Sequence, residues 1–382
     1  MSLRASAAIA GAAESDLGAA PAGTRPVDLM AQASLRALTD CGLTPADVDG
    51  VFAATTQLPM APLNLGVELG IHPRYTDATN VGGSSFLLHV DHARAAIAAG
   101  KCEVALIAYG STQRLIGRSS ASVQELDPWE VPYRPAMPVT AYALAASRHM
   151  HEFGTTREQL AEVAVSARAW AALNPLAFSR DPLTVDDVLA SRPVADPLTV
   201  RDCCLITDGG AAIVVTSAER AATLPRPPVL VLGAADAHRH RHITGMGDLT
   251  TTAAAQSGAR AFGEAGVTPA DVDVAQLYDA FTITPILFLE DLGFCAKGDG
   301  GAFVQDGRIA PGGAFPLNTN GGGLSYTHPG MYGLHAIVEA VRQLRGESAG
   351  RQVPDAHIAL AHGNGGVLSS QATLILGTQD TA

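Results

Sequence analysis

The sequence GLTPADVDG, from Gly42 to Gly50, returns as GVTPADVDV, from Gly266 to Val274, 224 positions later (266 − 42). Each copy occupies the same place in a larger pattern. VDLMAQASLRALTDC precedes the first and TTAAAQSGARAFGEA the second, both with apolar residues at helical spacing; VFAATT and VAQLYDAFT follow. Read as structure, each copy is a helix stopped by glycine, a short turn opened by Thr-Pro-Ala-Asp, and then a buried strand. A chain that repeats this unit is constrained to two similar halves.

The remaining apolar runs, VALIAYG, AAIVVTS, PVLVLGAA, HIALAHG and ATLILG, alternate with Ala-rich helical stretches. That alternation predicts an α/β fold whose sheets are covered by helices. We place one half at 1–112 with 201–222 and the other at 223–382. The stretch 113–200, which contains DPWEVPYRPAMP, reads as a loop insertion lying over a pocket or a subunit interface.

Composition narrows the partners. A net charge of −12 argues against nucleic acid, which draws on clustered Lys and Arg. No apolar run reaches the roughly 18 residues of a membrane helix. The opening MSLRASAAIAGAAESDLG lacks a sustained apolar core for a signal peptide, and Ala5–Gly11 reads as a small-residue strand. Five cysteines with no C-x-x-C predict reduced thiols in a cytoplasmic protein, with Cys203 and Cys204 packed and inert. The run HRHRH, His238–His242, would set three histidines on one face of an extended chain, but no carboxylate or cysteine set accompanies it. No metal site is expected.

Three blocks then carry a family resemblance: LYDAFTITPILFLEDLGFCAKGDGGAF (Leu277–Phe303), PLNTNGGGLSYTHPGMYG (Pro316–Gly333) and HGNGGVLSSQATLILG (His362–Gly377). They resemble, in order, the H-D-C-F or N-E-A-F block, the N-x-x-G-G and G-H-P-x-G block, and the C-terminal C-x-G-G-G loop of the thiolase superfamily. The sterol-carrier-protein type and its bacterial thiolase-like relatives are most similar. The resemblance implies the thiolase fold, two duplicated βαβαβαββ halves in five α-β-α-β-α layers, a homodimer, and acyl-CoA substrates with no further cofactor.

The departures from the family pattern matter more. Thiolases carry the acyl group on a cysteine at the start of a buried helix, where the helix N-terminus lowers the thiol pKa. Counting back from Ile97–Gly100 puts Gly83 at that position, followed by Ser84 and Ser85; a slip of one residue puts Ser84 there, and neither register holds a thiol. His362 stands where the family has its C-terminal cysteine, and Tyr278 where it has Asn or His before the acidic residue, here Asp279. The candidate acid–base residues are therefore Tyr278, His328 and His362, with Tyr326 and Tyr332 flanking His328. Gly83, Ser84, Ser85, Asn318, Gly365 and Gly366 are the candidates to hold a thioester oxygen.

A site that stabilises a thioester enolate without a covalent acyl-enzyme suits retro-aldol cleavage of a 3-hydroxyacyl-CoA. The thiolase-like aldolases of bacterial steroid side-chain degradation are similar in this respect, and that resemblance implies a small partner with an OB-fold and a zinc ribbon. Two alternatives stay open: acyl transfer through Ser84, activated by His328 or His362, and a non-catalytic acyl-CoA or lipid-binding scaffold. If Ser84 and Ser85 have no part in chemistry, they cap the helix.

Overall fold

The computed structural model describes residues 3–117 and 126–382. Eleven strands are present among them: β1 (Ala7–Glu14), β2 (Gly50–Ala53), β3 (Tyr75–Asp77), β4 (Val104–Ser111), β5 (Pro193–Ala195), β6 (Leu198–Thr199), β7 (Gly209–Ser217), β8 (Val229–His238), β9 (Val274–Leu277), β10 (Ile358–Gly365) and β11 (Ser370–Gly377). Nine form one sheet in the order β3-β2-β4-β7-β1-β8-β11-β10-β9, and β5 and β6 form a separate ribbon.

The sheet is the repeat made visible. On one side, β1 pairs antiparallel with β7, β7 antiparallel with β4, and β4 parallel with β2. On the other, β8 pairs antiparallel with β11, β11 antiparallel with β10, and β10 parallel with β9. The counterpart of β3 is reduced to a single parallel bridge, Ala275 to Leu317. The halves join where Ala8 and Ile9 of β1 pair with Leu230 and Val229 of β8.

The repeated phrase folds the same way twice. Gly42 and Gly266 stop their helices at φ +74° and +70°, a conformation that costs glycine nothing. Asp47 Oδ2 accepts from the Thr44 backbone N–H and hydroxyl, both at 2.8 Å; Asp271 Oδ2 accepts from the same groups of Thr268 at 2.8 and 2.7 Å. Thr-Pro-Ala-Asp is thus a closed bracket that turns the chain from an outer helix into β2 or β9.

Strand alternation sets the layers. Val104, Leu106 and Ala108 of β4 join the core that contains Met30, Ala33 and Ala37 of the outer helix Pro26–Asp40. Ala105, Ile107 and Tyr109 face the opposite way, with Phe86, Leu87 and Val90 of the helix Ser85–Ala98. The helix Gly333–Leu344 packs on Ser85–Ala98, and this central pair touches strands of both halves. The helix Ala254–Ala265 covers β8 and β11 from outside. Helix, sheet, helix pair, sheet and helix make the five layers.

The stretch expected as a loop insertion contains helices of its own, among them Val139–Phe153, Arg157–Ala172 and Val185–Leu189; its residues 118–125 lie outside the described residues. The signals for helix were present. Thr156 and Gln159 form a reciprocal capping box, and REQLAEVAVSARAWAA buries Leu160, Val163, Ala164, Ala167 and Ala171 at helical spacing. The second of these helices packs on the Gly322–Tyr326 turn.

Candidate active site

Three glycine-rich turns gather at the head of the central helix pair. Gly82 takes φ +85°, and a Cβ on it would lie 2.8 Å from Gly365 Cα, so the first turn rests directly on the third. A Cβ on Gly365 would lie 1.7 Å from the Val81 carbonyl oxygen, and one on Gly333 2.1 Å from the Gly83 carbonyl oxygen. Glycine at these positions is required by backbone approach. The starts of both central helices therefore meet at Gly83; of their first-turn N–H groups, Ser85 donates to the Gly82 carbonyl at 3.0 Å, Leu87 to Ser84 at 3.1 Å and His335 to Tyr332 at 2.8 Å.

Gly83 faces a tyrosine. A Cβ there would lie 2.2 Å from Tyr278 Cε2 and 2.7 Å from the Asn364 carbonyl oxygen. The Tyr278 ring fills the space that any side chain at position 83 would enter. The register that puts Gly83 in the cysteine's place is the one with a physical consequence: here a thiol and Tyr278 are sterically exclusive.

The Tyr278 hydroxyl meets His328 Nε2 at 2.9 Å, with a longer contact of 3.4 Å to the Gly330 carbonyl. The two rings meet edge to face at 5.6 Å. Burial pulls His328 down to about 4, so it is a neutral imidazole at pH 7, and burial pushes the Tyr278 phenol well above its ordinary range. Tyr278 and His328 thus form a hydrogen-bonded pair in which both groups are neutral at pH 7.

Asp279 lies under the second turn. Its Oδ1 accepts from Gly323 N–H at 2.6 Å and its Oδ2 from Leu324 N–H at 3.3 Å. A Cβ on Gly322 would lie 2.0 Å from Asp279 Oδ2, which explains that glycine. Complete burial raises the carboxyl to about 7 despite these donors. Asn318 braces the same corner: its Oδ1 accepts from Leu277 N–H at 2.7 Å and fixes the strand end from which Tyr278 projects.

The other sequence candidates divide. Gly365 and Gly366 line the junction, and the Gly366 carbonyl accepts from Tyr142 OH at 3.1 Å. Tyr332 stands edge to face with Tyr278 at 5.7 Å and donates to Asn320 Oδ1 at 2.8 Å. Ser85 Oγ braces its turn, accepting from Val81 N–H at 2.9 Å and donating to Gly82 O at 2.6 Å. Ser84 stands at the N-cap without a side-chain cap bond; its buried Oγ meets Ser370 Oγ at 2.8 Å, and neither His328 nor His362 supplies it a base. Tyr326 lies farther off and donates to Glu14 Oε1 at 2.7 Å.

His362 does not join this group. Its Nδ1 meets Thr373 Oγ1 at 2.9 Å and its Nε2 meets Gln371 Oε1 at 3.0 Å, so both ring nitrogens are occupied by β11. Its ring edge packs on Phe288 of the helix Ile283–Asp291 at 4.6 Å, whereas Gly363, next in the strand, packs against Ser84. Strand alternation turns His362 away from Gly83. The histidines of HRHRH also separate: His238 pairs with Asp236 and Ser370, His240 with the Val367 carbonyl, and His242 approaches Glu130 at 3.9 Å.

Sequence reasoning missed Tyr142, which accepts from Asn364 Nδ2 at 2.7 Å and stacks on Phe281 at 4.3 Å. It lies in the insertion, outside every motif block. Cys204, expected to be packed and inert, donates its backbone N–H to Ala280 O at 2.9 Å, and burial, with Cys203 and Asp279 beside it, holds its thiol well above the ordinary range.

The thiolase C-terminal domain-like family matches residues 235–378. The chain is 34% identical to a steroid side-chain-cleaving aldolase of Thermomonospora curvata, over 90% of this chain and 91% of that one. It is 34% identical to the 17-hydroxy-3-oxo-4-pregnene-20-carboxyl-CoA lyase of Mycobacterium tuberculosis, over 90% and 92%. An acetyl-CoA acetyltransferase of Methanothermobacter thermautotrophicus is also 34% identical, over 91% and 93%. Among solved structures, an Ltp2–ChsH2(DUF35) aldolase superposes with a TM-score of 0.89 at 35% identity, covering 98% of each chain.

Proposed function

Because this chain belongs to the thiolase superfamily, in the sterol-carrier-protein-type branch that includes the side-chain-cleaving aldolases, we propose that it cleaves a 3-hydroxyacyl-CoA with a bulky acyl part by retro-aldol chemistry. One observation carries the reading: Tyr278 occupies the room a nucleophile at Gly83 would need. An acetyl-CoA acetyltransferase matches as well by identity, so the reading leans on this feature of the site.

The reaction needs a base, a place for negative charge and an acid. The base removes the hydroxyl hydrogen from C3. The O–H electron pair becomes the new carbonyl, the C2–C3 pair passes into the thioester as an enolate, and C2 then takes up a proton. Tyr278, backed by His328, is the group at the site suited to receive and return that hydrogen. Backbone N–H groups where the two central helices begin would hold the enolate oxygen beside Gly83, without a formal cation. Gly365, Gly366 and Asn318 keep those turns in place. Coenzyme A enters as part of the substrate.

We extend the reading to partners on the same grounds. The aldolase that superposes over nearly the whole chain is described together with ChsH2(DUF35). A small OB-fold and zinc-ribbon protein is the partner proposed here, alongside a homodimer of this chain. All five cysteines are free thiols, which suits the cytoplasm, and no helix among the described residues is long and apolar enough to cross a membrane.

The test is product analysis with the partner present. A steroid 3-hydroxyacyl-CoA should yield a ketone and a shortened acyl-CoA in equal amounts, with no requirement for free CoA and no acyl adduct on the protein. Thiolysis that requires free CoA, or an acyl group trapped on Ser84, would refute the proposal.

A further inference from the structure

A row of five rings leads from the site into the seam between the halves. His328, Tyr278, Tyr332, His335 and Tyr326 follow one another at centroid separations of 5.6, 5.7, 6.0 and 6.4 Å. All five are buried. At the inner end Tyr326 donates to Glu14 Oε1 at 2.7 Å, and Glu14 is ion-paired with Arg342. Only the outer part of this row, Tyr278 and His328, enters the chemistry described above.

Along the row, buried polar atoms lack protein partners. His328 Nδ1 is one, both ring nitrogens of His335 are two more, and Asn320 Nδ2 is a fourth. Asn320 belongs to the row because its Oδ1 accepts from Tyr332 OH at 2.8 Å. A neutral imidazole always carries one N–H, so at least one donor on His335 has no acceptor among the protein groups. An unsatisfied buried donor or acceptor costs about 1–3 kcal/mol, and buried water commonly removes that cost where several polar groups share a space. Tautomer logic sharpens the point. If Tyr278 donates to His328 Nε2, the His328 hydrogen is on Nδ1, the atom without a partner.

We propose that an ordered water joins His328 Nδ1 to the His335 ring, and that His335 acts through it as a positioning residue which holds a proton while the enolate exists. The proposal rests on the retro-aldol reading. As the C–C bond breaks, the substrate hydroxyl hydrogen passes to the Tyr278 oxygen and the Tyr278 hydrogen to His328 Nε2. The His328 Nδ1 hydrogen passes to the water, and one water hydrogen to His335. The same moves in reverse return the hydroxyl hydrogen to Tyr278, from which C2 of the enolate is protonated. No hydrogen is gained or lost. Burial holds the His335 ring down to about 4, as it does His328, and Arg342 adds to this; His335 differs in having the Glu14 carboxylate to offset part of it, so a positive charge there is short-lived.

Two measurements on the full chain test the proposal. A high-resolution crystal structure should show a water oxygen within about 3.2 Å of both His328 Nδ1 and a His335 ring nitrogen. A protein group found bonded to His328 Nδ1 instead would overturn it, whatever the reaction proves to be. In the enzyme with its partner, His335→Gln should lower kcat by about 10²-fold with KM within about twofold, and should enlarge the solvent deuterium isotope effect on kcat. A folded His335→Gln with unchanged kcat, in a wild type that cleaves substrate, overturns the relay alone. Should His335→Gln not fold, His335→Asn replaces it with the same expected result. Absence of wild-type cleavage overturns the retro-aldol reading and the relay with it, while the crystallographic water is decided independently.

Discussion

Adding one carbon at Gly83 should disable the enzyme. The new Cβ of Gly83→Ala would stand 2.2 Å from Tyr278 Cε2, whereas carbon atoms in contact prefer about 3.5 Å or more. Tyr278 must then withdraw by about 1.3 Å, the difference between those two distances. Its hydroxyl meets His328 Nε2 at 2.9 Å; the same displacement opens that contact to about 4 Å, beyond hydrogen-bond range. The Asn364 carbonyl oxygen, 2.7 Å from the same Cβ, closes the other side. Overpacking of this kind costs about 1–3 kcal/mol. Loss of a positioned acid–base group costs about 10²–10⁴-fold in rate. The assay is ketone release from a steroid 3-hydroxyacyl-CoA, with a thermal melt of the same sample. The expected result is a melting point lowered by a few degrees and turnover lowered at least 100-fold. Near-wild-type turnover in a protein of unchanged melting point would refute the steric argument. Gly83→Cys combined with Tyr278→Ala tests its converse: acetyl-CoA should acylate the introduced thiol in the double variant but not in Gly83→Cys alone.

Three further predictions follow from other parts of the structure. Tyr278→Phe and His328→Gln should each lower kcat by about 10² or more with KM little changed, and steady-state kinetics on the two single variants and the double should show strong non-additivity. His328, His335 and His362 are each lowered from 6.5 to about 4 by burial. The unfolded chain therefore binds more protons than the folded one between those values, so their contribution is complete above pH 6.5 and is lost as pH falls toward 4. Each is worth at most about 3 kcal/mol, which urea melts from pH 7.5 to 4.5 should resolve as progressive destabilisation, smaller in His362→Gln. Thr44→Ala and Thr268→Ala should each cost about 0.5–2 kcal/mol and add in the double variant, because the two brackets lie in different halves; marked non-additivity in the melts would contradict the independence of the two brackets.

The duplication was readable because its physics is local. Glycine at a helix stop and Thr-x-x-Asp at a turn are determined by the chain's own neighbours, so Gly42 and Gly266 announce their structure in the sequence. The site was readable only in part. Tyr278 and His328 lie in motif blocks, and their convergence follows once both halves are in place. His362 occupies a motif position, but strand alternation and two hydrogen-bond partners on β11, Thr373 and Gln371, turn it toward Phe288; position in a motif says nothing about which face of a strand a side chain takes. Tyr142 and His335 were missed for the opposite reason. Tyr142 meets its partner across 224 residues (366 − 142), His335 meets Tyr326 and Tyr332 ring to ring deep in the core, and no local pattern marks either. The insertion's helices were legible from the capping box at Thr156 and were overlooked beside the proline-rich stretch before them.

The clash between Tyr278 and any side chain at Gly83 also orders history. In a lineage descending from a thiol-bearing enzyme, an aromatic ring acquired first at position 278 would have had to stand about 1.3 Å away from its present place. The ring reaches its present place beside His328 only once position 83 has lost its side chain.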